Sequence, residues 1–150
     1  MELTDSKIVL IFGWIYAAMI ANSFWEAYVE GRFPWDRRKL GWKLRLGSKF
    51  VLPAYHFWLF LVMWPMVLTL PLVIYGWNLR LFEVIMSAYI SGLVLEDFVY
   101  YIVNPAIKLS EFGPKFVTYH PWIKIGRINI PMMYVGALTV AVGLWFFGWR

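Results

Sequence analysis

The sequence predicts an all-α integral membrane protein, a four-helix transmembrane bundle with a basic interfacial segment between its first two spans. Of its 150 residues, 61% are hydrophobic and 21% are aromatic, which is more apolar than a soluble globular domain. The apolar residues fall in four runs, each close to or above the ~20 residues that cross the hydrocarbon of a bilayer. We interpret residues 1–150 as a single membrane domain.

The first span is predicted at residues 7–30, because a long apolar run there is followed by Gly31, a residue suited to ending a helix. The second span, residues 53–77, contains Pro65 and Pro71. Each proline is expected to bend the helix or to free a backbone carbonyl. Two stripes at four-residue spacing favour packing of the first span against protein: Gly13, Ala17 and Ala21, and next to them Ala18, Asn22, Glu26 and Glu30.

A basic connection joins these two spans and carries seven Lys or Arg residues interleaved with Trp and Leu. This composition is typical of a segment that lies in the membrane interface. It predicts membrane lipids as partners, with anionic headgroups bound by Arg37, Arg38, Lys39 and Lys43. Basic loops beside headgroups account for the positive charge, so no nucleic acid is expected as a partner.

The third span, residues 79–103, carries the adjacent carboxylates Glu96 and Asp97. Acidic residues inside a span are costly, and they usually face a partner, a cavity or a reacting group. One helix face holds Ala88, Gly92, Glu96 and Tyr100. We therefore expect Glu96 to face the inside of the bundle. The fourth span is predicted at residues 131–149, after an irregular or extended connection.

The distribution of Lys and Arg predicts the orientation. The two long connections carry seven and four of these residues, eleven together, whereas the termini and the short turn between spans two and three carry three. The positive-inside rule then places both long basic loops in the cytoplasm. We predict a multi-pass protein of the cell membrane with both termini outside.

Four residues near the cytoplasmic ends of the spans are the candidate catalytic residues: Glu96, Asp97, His56 and Glu26. Carboxylic acids and imidazole are common proton donors and acceptors in catalysis, so we expect acid/base modification of a lipid or isoprenoid. The stretch Val94–Phe98 resembles the P-x-E-[ED] motif of the membrane lycopene cyclases, without its proline. This resemblance covers less than a tenth of the chain and implies isoprenoid cyclisation as one example of such chemistry.

The sequence leaves open whether the protein is an enzyme. A divalent metal is an alternative cofactor, with His56, Glu96, Asp97 and His120 as candidate ligands, because imidazole and carboxylate suit zinc or iron. The sequence is also compatible with a channel-like homo-oligomer and with a non-catalytic structural subunit of a larger membrane complex. If the protein is such a structural subunit, its buried carboxylates only fix how the helices are aligned along one another. The chain has no cysteine, which excludes disulfides and thiolate metal sites.

Overall fold

The computed structural model describes residues 3–33, 40–46, 50–118 and 121–148. It is mostly helical, with 70% of the described residues in helices, as the sequence predicts. The elements in chain order are α1 (Asp5–Glu30), β1 (Lys43–Leu46), β2 (Phe50–Pro53), α2 (Ala54–Tyr75), α3 (Leu79–Val103), a 3₁₀ turn (Leu109–Glu111), β3 (Trp122–Ile125), β4 (Ile128–Pro131) and α4 (Met132–Gly148). Within the described residues, α1 and α2 are long and apolar enough to cross a membrane, and α4 is a shorter apolar helix.

Helix α3 is the central helix. It packs along α1 on one side and along α4 on the other, and it contacts α2 less extensively. The carbonyl of Gly31, just after α1, accepts hydrogen bonds of 2.7 Å from both Tyr100 and Asn104 at the end of α3. At the opposite end, the Phe12 ring meets the Trp145 ring of α4 edge to face. The helices therefore alternate in direction, and both long connections lie at one end of the bundle.

The predicted inward face of α3 is buried, as expected. Ala88, Gly92, Glu96 and Tyr100 are all buried. A Cβ atom on Gly92 would lie 2.9 Å from Cγ of Met19, so glycine allows α1 to approach closely.

The expectation for the small-residue stripe of α1 was wrong. Gly13, Ala17 and Ala21 are exposed, whereas the neighbouring stripe holds the buried Asn22 and Glu26. Larger side chains supply the contact with α3 instead, and Met19 and Ile15 are both buried in that interface. Small residues permit close packing, but they do not by themselves determine which face of a helix is used.

Pro65 frees a carbonyl, as predicted, through a change in the helical pattern of α2. The helix is π-helical over Phe57–Met63, and the Trp64 amide donates to the carbonyl five residues back, at Leu59. The next bond in this pattern would join residue 65 to Phe60, but proline has no N–H. The Tyr89 hydroxyl of α3 donates to the Phe60 carbonyl instead.

Two antiparallel hairpins correct the all-α prediction. Strand β1 pairs with β2, and β3 pairs with β4. The first hairpin lies where an interfacial segment is predicted, and the second lies in the connection predicted to be irregular or extended. Their signal is the alternation of apolar and charged residues in K-L-R-L and in I-K-I, which is the period of a strand. Of the predicted headgroup-binding residues, Lys43 is exposed in β1, and Arg37, Arg38 and Lys39 lie outside the described residues.

Candidate functional site

A buried cluster of carboxylates and one histidine lies at the end of the bundle that carries the long connections. Glu26 and Glu30 are one turn apart near the end of α1, His56 lies in the first turn of α2, and Glu96 comes from α3. The side chains of Glu26, Glu30 and His56 are 6%, 1% and 3% exposed. Each of these helices thus contributes to the cluster through a residue near the same end of the bundle.

The His56 imidazole stands between the two carboxylates of α1. Its Nε2 atom lies 3.7 Å from Oε1 of Glu26 and 3.6 Å from Oε1 of Glu30. Both distances exceed the 2.7–3.2 Å of an ordinary N–H···O hydrogen bond. The Tyr55 and Phe60 rings flank the imidazole, with centroids 4.1 and 5.6 Å from its own, and so restrict its orientation.

Glu96 is fixed by residues of α1. The Asn22 amide donates to Oε1 of Glu96 over 3.1 Å, and the Ser23 hydroxyl donates to the backbone carbonyl of Glu96 over 2.8 Å. Glu96 lies beside Glu26, since its hydrogen-bond donor Asn22 is one helical turn before Glu26 on α1.

Asp97 lies on another side of α3, away from this cluster. Its Oδ2 atom accepts a hydrogen bond from the Tyr134 hydroxyl of α4. Tyr134 is also part of the wall of an open hollow of about 470 Å³ between the helices. Most of that wall is apolar, with Val94, Leu95 and Phe98 of α3 among its residues.

A second hollow continues the first along the bundle. It measures about 560 Å³ and reaches Phe12 and Trp145. The two hollows share Tyr16, Ser91 and Leu138 as lining residues, so they meet there and form one groove. Its ends lie at Pro131, the residue before α4, and at Trp145 in α4, which corresponds to a length of ~20 Å at 1.5 Å per residue.

The structure therefore separates the four candidate catalytic residues into two places. Glu26, His56 and Glu96 lie near one another, whereas Asp97 accepts a hydrogen bond from Tyr134 in the wall of the groove. Of the candidate metal ligands, only His56 belongs to the one triad of described residues whose donor atoms lie within 4.8 Å of one another, which is Glu26, Glu30 and His56. Glu96 adjoins it, Asp97 does not, and His120 lies outside the described residues.

Two residues of these sites were not singled out from the sequence. Glu30 was noted only as part of a stripe, although its spacing of four residues from Glu26 places both carboxylates on one helix face. Tyr134 lies in an apolar span where tyrosine is ordinary, and no local pattern links it to Asp97, 37 residues away.

No protein-family model, curated protein or solved structure matches this chain.

Proposed function

We propose that the chain is a four-span membrane protein that modifies a lipid-soluble substrate by acid/base chemistry in the groove beside Tyr134. The spanning arrangement is supported by the apolar length of α1 and α2 and by large apolar side chains on the outer surface, such as Trp14, Leu70 and Phe147. The two long connections share one end of the bundle and carry eleven of the 14 Lys and Arg residues. This end is the cytoplasmic one by the positive-inside rule.

The observation that carries the proposal is the hydrogen bond from Tyr134 to Asp97 in an apolar wall. Ligand sites are typically apolar hollows with a few polar groups that orient the ligand. A hydrocarbon chain would lie along Val94, Leu95 and Leu138, and its polar head would meet the Tyr134 hydroxyl. The hydroxyl can accept a hydrogen bond from the substrate while it donates to Asp97.

The chemistry assigned to this pair is proton transfer. Tyr134 would give a proton to the substrate or take one from it, and Asp97 would orient the phenol and exchange the proton with it. The groove is open, so the lipid around it would have to limit the water at the reacting group, which strengthens these polar interactions. The proposed substrate class is a single-chain lipid or isoprenoid with a hydroxyl, carbonyl or carboxyl head.

A channel-like oligomer receives no support from the position of Glu96. This carboxylate is 4% exposed within one chain and accepts a hydrogen bond from Asn22. A ring of acids that lines a pore would have to face the axis between subunits. Glu96 faces α1 of its own chain.

The test combines a binding measurement and a product measurement. Cells that produce wild type, Tyr134→Phe, Asp97→Asn or the control Tyr28→Phe are compared by mass spectrometry of their membrane lipids. Tyr28 is 77% exposed on α1 and does not line the groove. In parallel, a photoactivatable fatty acid with a diazirine in its chain is crosslinked to the purified protein, and the labelled residues are mapped.

We expect a lipid change with wild type and Tyr28→Phe that is lost with Tyr134→Phe and Asp97→Asn. The crosslinks should fall on Val94, Leu95, Phe98 or Leu138 in all four proteins, because the substitutions leave these apolar side chains unchanged. A lipid profile identical in all four proteins and in cells without the protein would contradict the proposed enzymatic function. Crosslinks spread evenly over the outer helix faces would contradict the substrate groove.

A further inference from the structure

The triad of Glu26, Glu30 and His56 is not used by the groove chemistry. Its donor atoms belong to two helices and lie within 4.8 Å of one another. All three side chains are at least nine-tenths buried. Burying two carboxylates and an imidazole is costly unless the groups are paired, hydrogen-bonded or bound to a metal.

The distances from Nε2 of His56 to the carboxylates of Glu26 and Glu30 are too long for direct hydrogen bonds. Oε1 of Glu26 is buried and accepts no hydrogen bond among the described residues. The nearest polar hydrogen donor on His56, Nε2, lies 3.7 Å away, which is beyond hydrogen-bonding distance. Buried polar atoms normally have a partner, and a bound cation beside this oxygen would supply one.

The separations match those of ligands around a small cation. Two ligands that each bind a tetrahedral ion at ~2.1 Å stand ~3.4 Å apart. The distances from Nε2 of His56 to the two carboxylate oxygens, 3.6 and 3.7 Å, differ from this value by a few tenths of an ångström. The carboxylate oxygens of Glu26 and Glu30 lie within 4.8 Å of each other, so an ion between the three atoms needs the triad to contract around it.

Residues around the triad support the orientation that an ion would need. The neighbouring Glu96 carboxylate is held by a hydrogen bond from Asn22. The stacked Phe60 ring restricts the imidazole plane. Metal sites commonly depend on such supporting contacts to the ligating groups.

We propose that Glu26, Glu30 and His56 bind one divalent transition-metal ion, of the class of Zn²⁺ or Fe²⁺. One imidazole nitrogen with two carboxylate oxygens suits these ions better than Mg²⁺ or Ca²⁺, which prefer oxygen alone. Three protein ligands leave at least one position of the ion for water or another ligand. This inference is independent of the groove chemistry, because the ion site and Tyr134 are on different sides of α3.

The experiment measures ion binding by the full chain in detergent. Protein without an affinity tag is treated with chelator, dialysed, and titrated with Zn²⁺ or Fe²⁺, and bound metal is counted by elemental analysis. X-ray absorption of the loaded wild type identifies the ligand atoms. The variants are Glu26→Gln, Glu30→Gln and His56→Gln, with Glu83→Gln as the matched control on α3.

We expect one ion per chain in wild type and in Glu83→Gln, with scattering from a single imidazole and from oxygen. Each triad variant should bind at least about tenfold more weakly. Added metal should also raise the Tm of wild type and of the control, since it binds the folded state. Failure of the wild type to bind either ion, a spectrum without imidazole, or undiminished binding by folded triad variants would each overturn the metal site. Lipid analysis of the same variants is a separate readout, so the two proposals succeed or fail independently.

Discussion

Tyr89 joins α3 to α2 through a carbonyl that Pro65 leaves without its helical partner. In water such a carbonyl could be solvated, but in hydrocarbon every backbone polar group has to be satisfied by protein. The hydroxyl of Tyr89 therefore has a structural role that its position in an apolar span does not reveal. The same reasoning applies to Ser23, which donates to the Glu96 carbonyl and links α1 to α3.

Replacement of Tyr89 by phenylalanine should destabilise the protein by about 1–3 kcal/mol, because the Phe60 carbonyl loses its donor. The free energy of unfolding in detergent, measured by titration with a denaturing detergent, tests this value. Tyr75→Phe serves as the control, since that side chain is 76% exposed. Equal stability of the two variants would show that the Phe60 carbonyl does not depend on Tyr89.

The helix pair α1–α3 depends on the absence of a side chain at Gly92. A valine there would place its Cβ 2.9 Å from Cγ of Met19, so the helices would have to separate or Met19 would have to move. We expect Gly92→Val to lower the free energy of unfolding by about 1–3 kcal/mol.

Gly13→Val on α1 is the control for this substitution, because a Cβ on Gly13 meets no atom within 4 Å. Both substitutions have similar effects on helix propensity, so the difference between them isolates the packing. Gly13→Val should change stability by less than about 0.5 kcal/mol. A larger loss at Gly13 than at Gly92 would mean that α1 uses its small-residue stripe after all.

The connection after α3 is held against α1 by a charged contact. Arg32 donates to the Ala106 carbonyl over 2.7 Å and to the carboxylate of Glu111. The backbone N–H of Lys108 and the Arg32 guanidinium both lower the pKa of Glu111 below its ordinary value of 4.5. A lowered pKa means that the ionised form favours the folded state.

This contact predicts a pH-dependent difference between wild type and Glu111→Gln. The contribution of Glu111 is fully present above its ordinary pKa, and it is lost as the pH falls through its lowered folded-state pKa. We expect wild type to have the higher Tm at pH 7 and the difference to shrink as the pH falls below the ordinary pKa of a glutamate. A Tm difference that stays constant over this range would show that the ionisation of Glu111 does not contribute.

The helices could be predicted from the sequence more completely than the connections. Hydropathy and the terminating residue Gly31 place the helix ends within a few residues of those observed, because hydrophobic length and helix termination are local properties. The hairpins were missed because their strands are only four residues long. In segments this short, the high content of charged residues is a stronger signal than the alternation of apolar and charged positions that would indicate a strand.

The positions of the site residues could likewise be predicted only where they follow from the local sequence. The inward direction of Glu96 follows from its helix face. Only their positions near the cytoplasmic ends of the predicted spans indicate that Glu26 and His56 lie near it. The separation of Asp97 from Glu96 could not be predicted, since it depends on where α4 packs. The partnership of Tyr134 with Asp97 likewise requires the tertiary arrangement.

At the scale of the whole molecule, both proposed sites lie toward the end that carries the two long connections. If that end faces the cytoplasm, the part of the groove beside Tyr134 and the carboxylate–histidine cluster both lie toward the cytoplasmic side of the membrane. The orientation rests on the Lys and Arg distribution, eleven residues against three. Both proposed sites depend on it, because it determines the side of the membrane from which substrate, proton or metal reaches them.

Labelling of single cysteines tests the orientation most directly, because the chain has no cysteine of its own. Cysteine is introduced singly at Lys43 and Lys115 in the long connections, and at Thr4 and Trp77 at the other end. Intact cells are treated with a membrane-impermeant maleimide before and after permeabilisation. We expect labelling of Thr4→Cys and Trp77→Cys in intact cells, and of Lys43→Cys and Lys115→Cys only after permeabilisation. The reverse pattern, or labelling of both ends from the same side of the membrane, would contradict this orientation.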